Sequence, residues 1–223
     1  MNDFPFDTVG FDLDGTLVDT APDLGRALNH ALAIIGRGPI GEDVIRELIG
    51  GGTRAMLTRA LEHSGGMVEE ARFEALYADL IACYERHTSE HSKPYPGCLA
   101  ALDALAARGC RLAVVTNKPE YLARKLLEEL GMSERFACIL GGDTLGAGRS
   151  KPARDMIDEA IARCGGTRFA MVGDSSFDVK AAKSAEVPCV VLSVGYHDAP
   201  PETLGAQALI DHFDELVAAL EGL

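Results

Sequence analysis

From Leu99 to the C-terminus the chain alternates two apolar patterns with a regularity that few folds can accommodate. Leu99, Leu102 and Leu105 recur at helical spacing, Arg111 to Thr116 is a strand-length buried run, and Leu122, Leu126 and Leu130 return to the helical period. Ala137 to Leu140 then reads as a strand, Met156 to Cys164 as a helix, Phe169 to Gly173 as a strand, Val179 to Ser184 as a helix and Cys189 to Val194 as a strand. A short strand near Ala208 to Ile210 precedes a last helix carrying Phe213, Leu216, Val217 and Leu220. Parallel strands must be joined by crossovers, and crossover helices lie on the faces of the sheet. The alternation therefore predicts an α/β fold, a doubly wound parallel sheet with helices on both sides.

Val9, Gly10 and Phe11 supply one further strand near the N-terminus, and the stretch after it has a different character. Leu24, Ala27, Leu28, Ala31, Leu32 and Ile35 mark an amphipathic helix, with Pro22 where a first turn tolerates it. Glu42 to Ile49 reads as a second helix ending at Gly50-Gly51-Gly52. Thr53 is expected to cap a third that carries Met56, Leu57, Ala60 and Leu61. Phe73, Leu76, Tyr77, Leu80, Ile81 and Tyr84 mark a fourth, and no strand is expected between Leu17 and His91. Two prolines and a glycine in Ser92-Lys93-Pro94-Tyr95-Pro96-Gly97 break the run. The expected division is an α/β core over 1–17 and 93–223 and a helical cap over 18–92, hinged at Thr20-Ala21-Pro22 and at Ser92 to Gly97. Such a lid above the sheet edge would exclude water during chemistry.

The first strand ends at Asp12-Leu13-Asp14-Gly15-Thr16. In a strand, residues two apart point to one face, so both carboxylates are aimed at one cleft just where Gly15 lets the chain turn away. Two such carboxyls can divide a phosphoryl transfer. One attacks phosphorus to form an acyl phosphate, and the other, kept protonated by its charged neighbour, gives a proton to the leaving oxygen. Isolated D-x-D triplets also occur in solvated turns and helix caps, but here an apolar strand precedes and Gly-Thr follows. In open parallel sheets ligands bind beyond the carboxyl ends of the strands, which is where Asp12 and Asp14 lie.

Three more elements end in polar residues. Val114-Val115-Thr116-Asn117-Lys118 precedes a helix that Pro119 can open; a hydroxyl and free backbone N–H groups there can hold phosphate oxygens, although a T-N step taken alone is more often a capping turn. Lys151, in Ser150-Lys151-Pro152, follows the glycine-rich loop Gly141 to Gly148. A cation there would offset two carboxylates and a phosphoryl group, whereas a lone loop lysine is simply solvated. Val172-Gly173-Asp174-Ser175-Ser176-Phe177-Asp178 repeats the opening arrangement, with Asp174 at the strand tip and Asp178 one helical turn on. Oxygen ligands from Asp12 and Asp174, with a backbone carbonyl and waters, suit Mg²⁺. A helix N-cap is the competing account of Asp174, yet four polar strand tips in one chain exceed what capping explains.

A hydrophobic fraction of 47% in 223 residues allows a substantial core. The net charge of −13, with no basic stripe, argues against nucleic acid or an anionic membrane as partner. A small phosphorylated metabolite would have to be drawn in by local cations and metal. No apolar run approaches the ~20 residues of a membrane span, so a soluble, cytoplasmic protein is expected. Cys83, Cys98, Cys110, Cys138, Cys164 and Cys189 stand singly among aliphatic neighbours with no C-x-x-C pair, and are expected as buried free thiols.

With Asp12-Leu13-Asp14-Gly15-Thr16, Thr116-Asn117, Lys151-Pro152 and Gly173-Asp174-Ser175-Ser176-Phe177-Asp178 in that order, the chain resembles the haloacid dehalogenase superfamily, and within it the phosphoglycolate phosphatase group. The resemblance covers the whole chain and implies a five-stranded parallel core, a helical cap and Mg²⁺-dependent hydrolysis through an aspartyl phosphate. It makes Asp12 the nucleophile and Asp14 the general acid, then the base. Thr116 and Asn117 would hold phosphoryl oxygens, and Lys151 would neutralise charge. Asp12, the backbone carbonyl of Asp14, and Asp174 would hold the metal, with Asp178 behind them. In two places the chain departs from the common pattern: Ala153-Arg154-Asp155 follows Lys-Pro where a second proline is frequent, and Glu186 stands where glycine is frequent.

Asp14 separates phosphate chemistry from dehalogenation, whose halide leaving group needs no proton. A phosphonate-cleaving relative needs a cap lysine for a Schiff base, and the first lysine here is Lys93, at the hinge. A sugar-phosphate mutase like beta-phosphoglucomutase uses the same two aspartates but must grip a second phosphate; a pyrophosphatase is a further alternative. Arg54, at a helix start after three glycines, is the cap residue expected to meet a small anion, joining Gly15 and Asn117 as substrate contacts. A catalytically silent phosphate-ligand binding protein would be expected to have lost Asp12, Asp14, Lys151 or Asp174, and all are present. The expected function is a Mg²⁺-dependent phosphatase acting on a small phosphomonoester, foremost 2-phosphoglycolate.

Overall fold

The apolar runs become strands buried on both sides, as a sheet covered by helices requires. In the computed structural model, which describes residues 4–223, the chain begins β1 (Thr8–Phe11), β2 (Val18–Asp19), α1 (Ala21–Ile34), α2 (Glu42–Leu48), α3 (Thr53–His63), α4 (Glu70–Glu85) and β3 (Lys93–Pro94). It continues α5 (Cys98–Ala107), β4 (Arg111–Val115), α6 (Glu120–Glu129), β5 (Cys138–Leu140), α7 (Asp155–Cys164), β6 (Phe169–Gly173) and α8 (Ser176–Ser184). β7 (Cys189–Leu192), β8 (Ala208–Ile210) and α9 (Leu216–Glu221) complete it. The main sheet is parallel, in the order β5-β4-β1-β6-β7-β8. It has six strands where the family resemblance implies five; the extra one is the edge strand β8, which the sequence marks near Ala208 to Ile210.

Successive strand residues face opposite cores, the period-two geometry of a pleated strand. Phe11, Leu112, Val114 and Val172 pack with α5, α6 and α9, whereas Ala113, Val115, Met171 and Val191 pack with α7 and α8. Each fully buried Val or Leu of these faces contributes roughly 1.5–3 kcal/mol. Gly10 is the exception that close packing demands, since a Cβ there would lie 2.3 Å from the Phe169 ring on the neighbouring β6.

Helices α1 to α4 form a third core: Leu24, Leu28 and Leu32 of α1 cluster with Leu57 and Leu61 of α3 and Leu76 and Leu80 of α4. Two side chains from outside the helical segment, Leu122 of α6 and Tyr196 after β7, join the same cluster. The segments leading into and out of the helices pair antiparallel as β2 and β3, with Val18 opposite Pro94 and Asp19 opposite Lys93. β2 corrects the expectation that no strand occurs between Leu17 and His91. A two-residue element is too short to show a period, and it forms because the two crossings run side by side. Asp23 of α1 fastens the outgoing segment by accepting from the backbone N–H groups of His91 (2.9 Å) and Ser92 (2.8 Å) and from Ser92 Oγ (2.7 Å).

Thr53 is not the cap of α3 but its first residue. The cap position belongs to Gly52 at φ +93, a conformation that a β-branched threonine resists. All six cysteines are free and buried, as expected, but Cys138 and Cys164 are not solitary: their Sγ atoms are 3.8 Å apart between β5 and α7.

Helix α8 ends in a Schellman arrangement, the N–H of Val187 bonding the Ala182 carbonyl (3.0 Å) and that of Glu186 bonding Lys183 (3.2 Å). The left-handed residue this requires is Glu186, at φ +59. Glycine would relieve the clash between Cβ and the following carbonyl, a net gain of about 1 kcal/mol after the extra freedom of the unfolded chain. Glu186→Gly is expected to raise the melting temperature by roughly 2–4 °C in thermal unfolding. An unchanged or lower value would show that the strain is not there.

Candidate active site

Phe11, the last residue of β1, is paired with Val114 of β4 and Val172 of β6. This register brings the chain after all three strands out at one edge, at the point where the sheet order reverses across β1. Asp12 continues the ladder through its N–H to the Val172 carbonyl (2.9 Å). Asp12, Asp14, Thr116, Lys151 and Asp174 line one cleft of about 40 Å³, and Gly50 to Thr53 with Met56 form its far wall.

Lys151 is a buried cation of the cleft, 3% exposed. Its Nζ lies 3.0 Å from Asp12 Oδ2 and 2.6 Å from Asp178 Oδ1. The other oxygen of Asp178 accepts from Ser175 Oγ (2.7 Å) and from the N–H groups of Ser175 (3.1 Å) and Asp174 (3.3 Å). Asp178 is therefore occupied in aiming Lys151 and folding the start of α8. Asp12 Oδ1 accepts from the Leu13 N–H at 2.7 Å. Asp174 accepts from Thr16 Oγ1 (2.7 Å) and the Tyr196 N–H (2.6 Å), and the His197 ring braces the same loop, 2.6 Å from the Asp174 carbonyl.

Oxygens of Asp12, Asp174 and Asp178 all lie within 4.8 Å of one another. Burial raises the Asp12 carboxyl to about 6 against the pull of Lys151, and the charges of Asp178 and Asp14 add to the rise. Burial and then the charges of Asp178 and Asp12 push Asp174 well above the ordinary carboxylate range. Burial pulls the Lys151 ammonium down, but Asp12 and Asp178 more than restore it. Hard oxygen donors whose charge is under-compensated are the chemistry of a small divalent cation site, so the residues present fit one.

Most of the residues singled out in the sequence meet here: Asp12, Asp14, Thr116, Lys151, Asp174 and Asp178. Asn117 also lines the cleft, and its side-chain Nδ2 donates to the Lys151 carbonyl (2.9 Å), tying two loops together. Gly15 lies outside the lining; at φ +82 it serves packing, because a Cβ would lie 2.4 Å from Asp174 Oδ2. Arg54 does not reach the cleft either. It is exposed, bonded to Glu74 (3.0 Å), with its guanidinium 5.0 and 4.8 Å over the rings of Phe73 and Tyr77.

Sequence reasoning missed Lys118, whose Nζ lies 2.9 Å from Asp14 Oδ1 and 3.1 Å from Oδ2, and Thr20, whose Oγ1 is 2.7 Å from Asp14 Oδ1. Lys118 directly follows Thr116-Asn117, the one signal that could have drawn attention to it. Tyr196 was missed as well. Besides its N–H bond to Asp174, its hydroxyl lies 2.5 Å from Asp19 Oδ1 and accepts from the Ala21 N–H (2.8 Å), and Arg46 of α2 pairs with the same Asp19 at 2.8 Å.

Known proteins share this arrangement of chain. The family model described as haloacid dehalogenase-like hydrolase matches residues 9–192. A phosphoglycolate phosphatase of Agrobacterium fabrum is 44% identical over 212 residues, 94% of this chain and 90% of its own length. One from Rhodospirillum rubrum is 42% identical over 92% of this chain and 87% of its own. The crystal structure of a predicted phosphoglycolate phosphatase from Haemophilus somnus superposes with a TM-score of 0.90 at 29% identity, covering 97% of this chain and 98% of that one.

The raised Asp12 carboxyl has a consequence for stability. An acid whose value rises on folding from 3.8 to about 6 favours the folded state less as pH climbs between those values, and above them its buried charge is a fixed penalty. Asp12→Asn removes that penalty. In chelator-treated protein the variant is expected to melt a few degrees above wild type at pH 7.5 and at nearly the same temperature at pH 4, read by calorimetry. A shift of equal size at both pH values contradicts the assignment.

Proposed function

The chain belongs to the haloacid dehalogenase-like hydrolase family, and on that footing we propose that it is a Mg²⁺-dependent phosphatase of a small phosphomonoester, foremost 2-phosphoglycolate. The observation that carries this reading is the meeting of Asp12, Asp14, Thr116, Lys151 and Asp174 in one cleft. In the first half-reaction a carboxylate oxygen of Asp12 attacks phosphorus, the bond to the substrate alcohol breaks, and Asp14 gives that oxygen its proton. Thr116 Oγ1 and the Asn117 N–H hold phosphoryl oxygens while Lys151 offsets the charge gathering between Asp12 and phosphorus. In the second, Asp14 takes a proton from water, the water oxygen attacks phosphorus, and inorganic phosphate leaves as the Asp12 carboxylate is restored. Mg²⁺, held by Asp12, Asp174 and the backbone carbonyl of Asp14, supplies positive charge against the phosphoryl oxygens when bound. The helices between β2 and β3 act as a cap that keeps bulk water out.

Relatives named phosphoglycolate phosphatase, at 44% and 42% identity, support the substrate. So does the cleft. No lysine or arginine of the helical segment lines it. A sugar-phosphate mutase needs a grip on a second phosphate, and with Arg54 turned to Glu74 no cationic side chain of the helical segment supplies one. The first turn of α3, whose N–H groups have no intrahelical partner, bounds the cleft at Thr53 and suits a substrate carboxylate. No helix among the described residues is long and apolar enough to cross a membrane. The buried thiols support the cytoplasm as its place of work.

Phosphate release from a panel containing 2-phosphoglycolate, pyrophosphate and sugar phosphates, with and without Mg²⁺, tests the reading. Release from 2-phosphoglycolate that requires Mg²⁺ is the expected result. Asp12→Asn should abolish it, and Asp14→Asn should lower it by about 10²-fold or more or trap phosphorylated protein. Wild-type rates in either variant refute the assigned roles, and glucose phosphate isomerisation without phosphate release would favour the mutase.

A further inference from the structure

Lys118 is a buried cation that the two half-reactions leave without a task. It is 3% exposed, with Nζ 2.9 and 3.1 Å from the two oxygens of Asp14 and 4.4 Å from the centre of the Tyr84 ring. The Tyr84 ring lies against the ammonium, and the quadrupole of an aromatic face attracts cations. Burial pushes the phenol up to about 12, and the ring stays neutral at working pH. Burying an ammonium is expensive unless counter-charge and hydrogen bonds compensate, and here both Asp14 oxygens and an aromatic face do so. Lys151 meanwhile serves Asp12 and Asp178. Each acid of the Asp12-Leu13-Asp14 triplet thus has its own lysine.

A carboxylate held through both oxygens by one ammonium, with Thr20 Oγ1 on Oδ1 as well, has its plane fixed. Proton transfer depends on that aim, because donor and leaving oxygen must meet within hydrogen-bond reach. We propose that Lys118 is a positioning residue for Asp14, seated by the ring of Tyr84 from α4, so that a side chain of the helical segment helps aim the group that moves the proton. This role presupposes that Asp14 is the acid and base.

Ethyl phosphate and 2,2,2-trifluoroethyl phosphate are similar in size and carry no second anion, but trifluoroethoxide leaves with far less need of a proton. In single-turnover alcohol release with Mg²⁺, Lys118→Met should slow ethyl phosphate by about 10²-fold and the trifluoroethyl ester at least about tenfold less. Tyr84→Leu should show the same selectivity at smaller size. Lys118→Arg, which keeps a cation, should recover part of the ethyl phosphate rate. Equal losses on both esters, or no loss, overturn the role; if Lys118→Met does not fold, Tyr84→Leu and Lys118→Arg are judged by the same criterion. Asp14→Asn run alongside separates two failures. If it too slows both esters equally, Asp14 is not the acid; if it is selective and the Lys118 and Tyr84 variants are not, only the role of Lys118 falls.

Discussion

Carboxylate oxygens of Asp12 and Asp174, at the tips of β1 and β6, and of Asp178, in the first turn of α8, lie within 4.8 Å of one another, and like charges so close repel strongly where water is scarce. Much of the surrounding structure exists to make that tolerable. Asp178 is bonded to Lys151 and to Ser175, Asp174 is bonded to Thr16 and the Tyr196 backbone, and Lys151 bridges Asp12 and Asp178. On the proposed reading, what remains uncompensated meets a cation and a phosphoryl group, which bring opposite charges to the same few ångströms.

The crowding is possible because of where β1 sits. Flanked by β4 on one side and β6 on the other, it delivers its acids into the crevice left where the strand order reverses. The strand tips are stiff: their backbones are paired on both sides, and the residues behind them, Phe11, Val114 and Val172, are fully buried. Reacting groups carried on such elements need little further ordering when a substrate arrives.

How much of this was legible in the sequence follows from distance along the chain. The α/β class and the sheet strands could be read because each rests on a local period. Asp12 and Asp14 could be paired because two residues in a strand share a face, and Lys151 and Asp174 could be joined to them through the order of motifs. Lys118 could not, since its meaning lies in a partner 104 residues away. Tyr84 read as a core residue, which it is, but nothing in a helical pattern says that its ring will meet an ammonium. Arg54 went the other way: its place at the start of α3 was legible, yet whether it turned to the cleft or to Glu74 depended on how α4 packs. β2 and β3 are too short to leave any periodic trace.

The two sides of the cleft are built on different hydrophobic clusters. Strand tips rest on the packing of the sheet, whereas Gly50 to Thr53 rest on the packing of α1 to α4. On the proposed reading, the wall that meets the ligand can therefore drift over evolutionary time while the groups that act on phosphorus stay in register, because most substitutions in one cluster are insulated from the other. That insulation leaks at Leu122 and Tyr196, which grow from the sheet side but pack among the helices, and at Tyr84, a member of the helical cluster whose ring meets Lys118. Inherited changes at those positions would be felt on both sides of the cleft together.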